Sequence, residues 1–194
     1  MYKRVRLVDT VRVPPERLGD VDTELILELL QDKLEGRMDE DLGSIVAVTE
    51  VEDVGEGHIL YNEAGVFYEA TFDALVFDPT MQEVVDGKVT EVVSFGAFVG
   101  IGPIDGLLHV SQISEDYYSY DESNQRLVSN ESNQALGVDD PIRVRIVAVS
   151  IDERNPRESK IGLTARQVAL GKHGWLHAER DASETDAETQ TPDQ

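Results

Sequence analysis

The sequence predicts a mostly β chain of two domains: a small α+β domain of β-α-β-β-β order, then a five-stranded all-β barrel. Two observations predict it. In the first 80 residues, one apolar stripe of helical period interrupts runs that alternate with period two. From Val84 onward the apolar runs are short or alternating, and glycine, asparagine and aspartate separate them. The 194 residues, 40% of them apolar, suffice for two small cores and exclude a chain that is disordered throughout.

Residues 2–13 read as the first strand, with Val5 and Leu7, then Val11 and Val13, as its apolar positions and an apparent phase slip at Leu7–Val8. Pro14-Pro15 stops the ladder, because proline has no N–H to donate. A helix follows, capped by Asp20 or Asp22. Leu25, Ile26, Leu29, Leu30 and Leu34 form its apolar stripe, and Gly36 ends it. Three strand-like runs complete the domain, SIVAVTEVEDV, HILYN and VFYEATFDALVF, with turns at Gly55-Glu56-Gly57 and Asn62-Glu63-Ala64-Gly65. Asp78-Pro79 closes it, which gives a first domain over residues 1–80.

The second domain spans 81–178. VVDGKVTEVVSFGAFVGIG supplies two strands joined near Ser94–Gly96, and GLLHVSQI a short third. IRVRIVAVSID alternates most clearly, and SKIGLTAR closes the set. Five strands with one long connection suit a Greek-key barrel of the OB kind. That connection, Ser114 to Gly137, is too long for a bare loop, and DYYSYDESNQRLVSN is expected to fold back as a hairpin around Glu122-Ser123-Asn124. RQVALGKHGWLHAER is expected to be helical up to Gly171 and to resume near Trp175. Residues 179–194 hold no large apolar side chain and read as an acidic, disordered tail.

Lys and Arg number 17 against 39 Asp and Glu, a net charge of −22, and the acids lie along the whole chain. Lysine is confined to Lys3, Lys33, Lys88, Lys160 and Lys172. Dispersed acidity of this kind suits a protein living in molar salt, where a Debye length of about 3 Å screens self-repulsion. An ordinary acidic protein that avoids polyanions or binds a basic partner is the alternative reading. The absence of cysteine excludes disulfides, thiolate zinc sites, iron–sulfur clusters and a cysteine nucleophile. No apolar run approaches the roughly 18 residues of a membrane span, and MYKRVRLVDTVRVPP lacks the apolar stretch of a secretion signal. The expectation is a cytoplasmic protein with no membrane partner.

Enzyme motifs are missing. GIGPIDG, Gly100 to Gly106, lacks dinucleotide-loop spacing and leads into a strand-like run rather than a helix. No GxxxxGK[ST] phosphate loop and no nucleophile elbow occurs. His173 and His177 are four apart but have no third ligand, so surface histidines are the better reading than a metal site. The chain is expected to carry no catalytic residue, cofactor or metal of its own. The informative segment is Phe95-Gly96-Ala97-Phe98, followed by His109. Two phenylalanines three apart would lie on opposite faces of a regular strand, and a glycine bend or bulge can bring them to one side. Core burial and an exposed stacking platform both remain open on pattern alone.

Gly87-Lys88-Val89, Phe95-Gly96-Ala97-Phe98-Val99, Gly106-Leu107-Leu108-His109-Val110-Ser111-Gln112-Ile113 and Lys160-Ile161-Gly162-Leu163-Thr164 together resemble the RNA-binding domain first described in ribosomal protein S1. The resemblance implies an RNA-facing patch of Phe95, Phe98, His109, Asp152 and Lys160, although ERNPRES lengthens the turn between the last two. The first half narrows the family. MYKRVRLVDTVRVPPERLG, DLGSIVAVTEVEDVGEG and VFYEATFDALVFDP resemble the start of the E-prime subunit of archaeal RNA polymerase, the counterpart of the seventh subunit of eukaryotic polymerase II. This second resemblance covers about residues 1–177. It implies a non-catalytic stalk subunit that docks on the polymerase core through its N-terminal domain, pairs with the F subunit of the polymerase as a heterodimer, and offers its barrel to emerging single-stranded RNA. Gly55 and Gly57 fall at the implied docking tip, where glycine permits positive φ and close approach. Combined with the acidity, the resemblance suggests a salt-loving archaeon. An RNA-binding component of an exosome cap or a translation initiation factor is the alternative, because both also carry such a barrel.

Overall fold

The structure, a computed structural model, describes residues 1–19, 21–132, 134–153 and 159–178. Asp20 and the expected tail at 179–194 lie outside the described residues. Met1–Pro79 together with Ile151–Ser159 forms one compact unit. Thr80–Ser150 together with the residues from Lys160 onward forms the other.

The first unit runs β1 (Tyr2–Val13), α1 (Thr23–Leu34), β2 (Met38–Asp39), β3 (Gly43–Val54) and β4 (Val66–Phe77), in an antiparallel sheet of order β1-β4-β3-β2. Strand β1 pairs with β4 without interruption from Tyr2↔Phe77 to Val13↔Val66, so the apparent slip at Leu7–Val8 is no bulge. Val5, Leu7, Val11 and Val13 keep one phase, and Val8 is simply an apolar residue on the other face, 60% exposed. The Asp22 carboxylate accepts the Leu25 amide at 2.9 Å to start α1, and Gly36 at φ 77° follows its end. Leu25, Ile26 and Leu30 from α1 pack with Val11, Val13, Ile45, Val48, Phe72 and Val76 in one core. Each such fully buried side chain contributes about 1.5–3 kcal/mol.

HILYN is not a strand. β3 pairs directly with β4, which leaves the run no ladder to join, and only His58 bridges to Phe67. The short β2 supplies the remaining strand of the β-α-β-β-β order. Ile59, Leu60 and Tyr61 instead stand 78%, 47% and 93% exposed on the loop between β3 and β4.

On the sheet face away from α1, Asp73 is buried and meets two arginines from β1. Arg6 Nε donates to it at 3.1 Å, and Arg4 donates through Nε at 3.0 Å and Nη2 at 2.5 Å. Glu50 and Glu52 of β3 take up the outer sides of the same guanidinium groups. Hydrogen bonds from Arg6, then from Arg4, hold the Asp73 carboxyl below the usual carboxylate range. A folded-state pKa below the unfolded one stabilises fully above the ordinary range and is lost as pH falls through that range toward the depressed value. Asp73→Asn is therefore expected to lower the urea midpoint at neutral pH and to flatten its acid limb. Circular dichroism melts across pH test this, and an acid limb identical to the parent's contradicts it.

The second unit contains β5 (Val84–Val93), β6 (Gly96–Gly100), β7 (Asp105–His109), β8 (Tyr118–Asp121), β9 (Arg126–Ser129), β10 (Ala135–Gly137), β11 (Pro141–Ser150), β12 (Lys160–Thr164) and β13 (Gly171–Lys172). Five of them close on themselves in the order β7-β6-β5-β11-β12, and β12 returns to β7 in parallel. This closed Greek-key order is that of an OB barrel. Val85, Val89, Val99, Leu108, Val144, Ile146 and Leu163 fill its interior.

The long connection holds the expected β8–β9 hairpin, and β10 adds a third strand to it. Leu127 and Leu136 of this small sheet are fully buried. Asp116 pins the insertion by accepting Ser132 Oγ at 2.6 Å and Ser129 Oγ at 2.7 Å. The expected helix before Gly171 is absent. Residues 165–170 are irregular, Ala169 sits at φ 64°, and Gly171 pairs with Arg143, which draws the chain back to the sheet. Only 173–178 are helical there. Among the described residues no helix is long and apolar enough to cross a membrane.

Candidate nucleic-acid interface

Alternation along β6 sends Ala97 and Val99 into the barrel and leaves Phe98 facing outward, half-buried. Phe95 precedes the strand, in the Ser94–Phe95 turn, and is 49% exposed. The two rings escape the core because Phe95 is off the strand. No bulge at Gly96 re-aims them; the register shift lies in β5, between Val89 and Glu91. The Phe95 carbonyl accepts the Val110 amide at 2.9 Å, which ties this turn beside His109.

His109 stands opposite Gly96 and is exposed. A Cβ at Gly96 would lie 2.4 Å from the Leu108 carbonyl oxygen, so only glycine lets β6 and β7 approach this closely. His109 Nδ1 accepts the Ser111 amide at 3.2 Å and lies 2.8 Å from Ser111 Oγ. That bond assigns the proton of the neutral ring to Nε2, the nitrogen left available to a ligand.

Across the strands, Glu91, Phe98, Leu107 and Gly162 form one row, and His109 lies two residue pairs further along. Lys160 is exposed on the same outer face, at the start of β12. Four residue steps, about 13 Å along the strands, separate its level from that of His109. Asp152 is not on the barrel strands; it lies in the connection grouped with the first unit, and its amide donates to Ser159 Oγ at 2.9 Å. The fold thus gathers Phe95, Phe98 and His109, sets Lys160 at the far end of the face, and leaves Asp152 outside the barrel strands. Leu107, half-buried between Phe98 and Gly162, was missed; it has the same alternation parity as His109.

Gly55 and Gly57 are both exposed, but neither adopts a positive φ. A Cβ at Gly57 would lie 2.7 Å from Val66 Cγ1 and 2.8 Å from the Tyr68 ring. Both glycines thus lie against β4, and the large exposed side chains next to them are Ile59, Leu60 and Tyr61.

Residues 8–64 match the SHS2 domain found in the N terminus of Rpb7p/Rpc25p/MJ0397, and residues 78–160 match the S1 RNA binding domain. DNA-directed RNA polymerase subunit Rpo7 of Sulfolobus acidocaldarius is 32% identical over 179 residues, covering 92% of this chain and 97% of that one. The chain belongs to the Rpo7 family of DNA-directed RNA polymerase subunits. Rpo7 of Saccharolobus solfataricus agrees, with 34% identity over 91% of this chain and 97% of the relative. Ribonuclease R of Escherichia coli is 38% identical over 108 residues, but this covers 47% of the chain and only 13% of that enzyme. The Rpo7 likeness is therefore one of whole chains, and the ribonuclease likeness one of a part.

Within this Rpo7-type barrel the aromatic face depends on Gly96. Gly96→Ala is expected to lower barrel stability by about 1–3 kcal/mol, the usual range for forced overpacking. Urea unfolding read by circular dichroism measures it, and a midpoint equal to the parent's contradicts the close-approach assignment.

Proposed function

We propose that this Rpo7-family chain is the non-catalytic stalk subunit of an archaeal polymerase, pairing with the F subunit, docking by its first domain (1–80) and binding emerging single-stranded RNA with its second (81–178). The observation that carries the RNA reading is the 49% exposure of Phe95 together with the outward, half-buried setting of Phe98, rings that the barrel could have buried. Stacking on such rings contributes about 1–3 kcal/mol per base and tolerates any base. Unpaired bases are open to it, whereas duplex bases are already stacked. His109 Nε2–H adds a donor, and Lys160 a cation for the backbone. Asp152 is assigned to the interface by the family resemblance alone. A cytoplasmic setting in a salt-loving host accords with the net charge of −22. Nothing specific favours an exosome cap or an initiation factor.

The Phe95→Ala/Phe98→Ala variant is expected to keep its melting temperature within a few degrees and to lose single-stranded RNA affinity by roughly ten-fold or more. Fluorescence anisotropy with a labelled oligoribonucleotide reads this; a folded double variant that binds like the parent removes the stacking interface.

Docking falls to the exposed loop that carries Ile59, Leu60 and Tyr61, since contiguous exposed apolar side chains mark interaction surfaces. Gly55 and Gly57 shape that loop from within. Leu60→Ser/Tyr61→Ser is expected to abolish co-purification of the large polymerase subunits while RNA binding by the isolated chain is unchanged. Undiminished recovery of the core would contradict the assignment.

A further inference from the structure

Cations are scarce, and most are already matched. In the second unit Lys88 pairs with Asp139, Arg126 with Asp121, Arg143 with Asp86 and Lys172 with Asp140, at 2.6–3.1 Å. Among the described residues of this unit, Arg145, Lys160 and Arg166 have no carboxylate within ion-pair distance.

Two of the three converge. Arg145 on β11 stands opposite Thr164 on β12; alternation turns both away from the barrel interior, Arg145 half-buried and Thr164 buried beneath its neighbours. Thr164 Oγ1 accepts the Arg166 amide at 3.4 Å, so Arg166 leaves the strand beside the same threonine. β12 runs parallel to β7 through Leu107↔Gly162 and Leu108↔Leu163, so His109 and Thr164 each follow directly on the last pair of this ladder. The Ala165 amide donates to the Gln112 carbonyl at 2.7 Å and holds the two strands together just beyond. The backbone positions of His109, Thr164 and Arg145 therefore follow one another across three adjacent strands, about 10 Å from end to end, with His109 exposed and Arg145 half-buried on either side of Thr164.

The Arg145 side chain is held but not satisfied. Its Nη1 donates to the Gln82 carbonyl at 3.3 Å, while its Nε is buried without a hydrogen-bond partner. Gln82 adopts φ 67°, a conformation fixed in part by its amide bonding the Ile146 carbonyl at 2.8 Å. An arginine held in place with no acid partner can turn its remaining guanidinium N–H groups to a phosphate oxygen.

We propose that Arg145 and Arg166 form a backbone-phosphate subsite beside His109, so that a single strand stacked on Phe95 and Phe98 passes over β12 onto β11. This rests on the single-stranded RNA reading above and extends it to the path of the strand. Lys160, at the opposite end of β12, meets a different part of the backbone.

The test uses the full chain, a labelled oligouridylate of about eight nucleotides, which lies within the site size of one OB fold, and a KCl series. Arg145→Gln and Arg166→Gln are each expected to weaken binding roughly three- to ten-fold at low salt and to reduce the slope of log K against log salt by about 0.7 for every phosphate no longer neutralised. Arg126→Gln, in the hairpin, should change neither. Arg145→Lys, which keeps the charge, should hold the slope while losing affinity; it serves in place of the glutamine variant if that one unfolds, and exposed Arg166 carries no such risk. If both glutamine variants bind with the parent's slope while Phe95→Ala/Phe98→Ala binds weakly, the subsite is wrong and the RNA reading stands. A parent protein that does not bind the oligouridylate overturns both.

Discussion

Two parallel residue pairs, Gly162 with Leu107 and Leu163 with Leu108, turn an open sheet into a closed barrel, and the outward face exists because of them. Parallel pairing is slightly weaker per residue than antiparallel pairing, so such a short seam needs support from packing. Gly106 provides it: a Cβ there would lie 2.5 Å from Leu163 Cδ1, so its absence lets that leucine reach the core. The same seam abolishes two sheet edges. It also sets the register that puts Leu107 between Phe98 and Gly162.

Charge follows a different logic in the two units. In the first, Arg4 and Arg6 converge on one buried carboxylate, and the outer acids Glu50 and Glu52 close the network. In the second, the matched pairs are mostly single, partly exposed pairings such as Lys88–Asp139. Pairs of that kind are worth little individually, about 0–1 kcal/mol. Their effect is to neutralise local repulsion among the acids, not to hold the barrel shut.

Much of the fold was legible because it rests on periodicity. The α1 stripe, Gly36 and the alternation of β11 all read directly from residue order, and the cap was narrowed to Asp20 or Asp22, of which Asp22 accepts the Leu25 amide. What escaped depended on partners distant in sequence. HILYN has the composition of a strand, but β3 and β4 already satisfy each other and leave no ladder for it. Residues 166–170 have a helical pattern, but the pairing of Gly171 with Arg143 overrides it. For the site, the FGAF spacing identified Phe95 and Phe98 but left their exposure open, since a turn residue and a strand residue follow different rules. The clustering of Arg145 with Arg166 required the β11–β12 register, which no local pattern encodes.

The position of β12 in the chain also fixes the order in which the molecule can be completed. β4, the partner of β1, ends at Phe77, so the first sheet has all its strands once that residue is available. The barrel must wait for Thr164, with β7 and β11 both exposing unpaired edges in the interval. During synthesis the amino-terminal half can therefore reach its native pairing while the other half is still an open sheet. That interval is when the chain is most exposed to mispairing, and the long insertion between β7 and β11 extends it by delaying the strand that ends it.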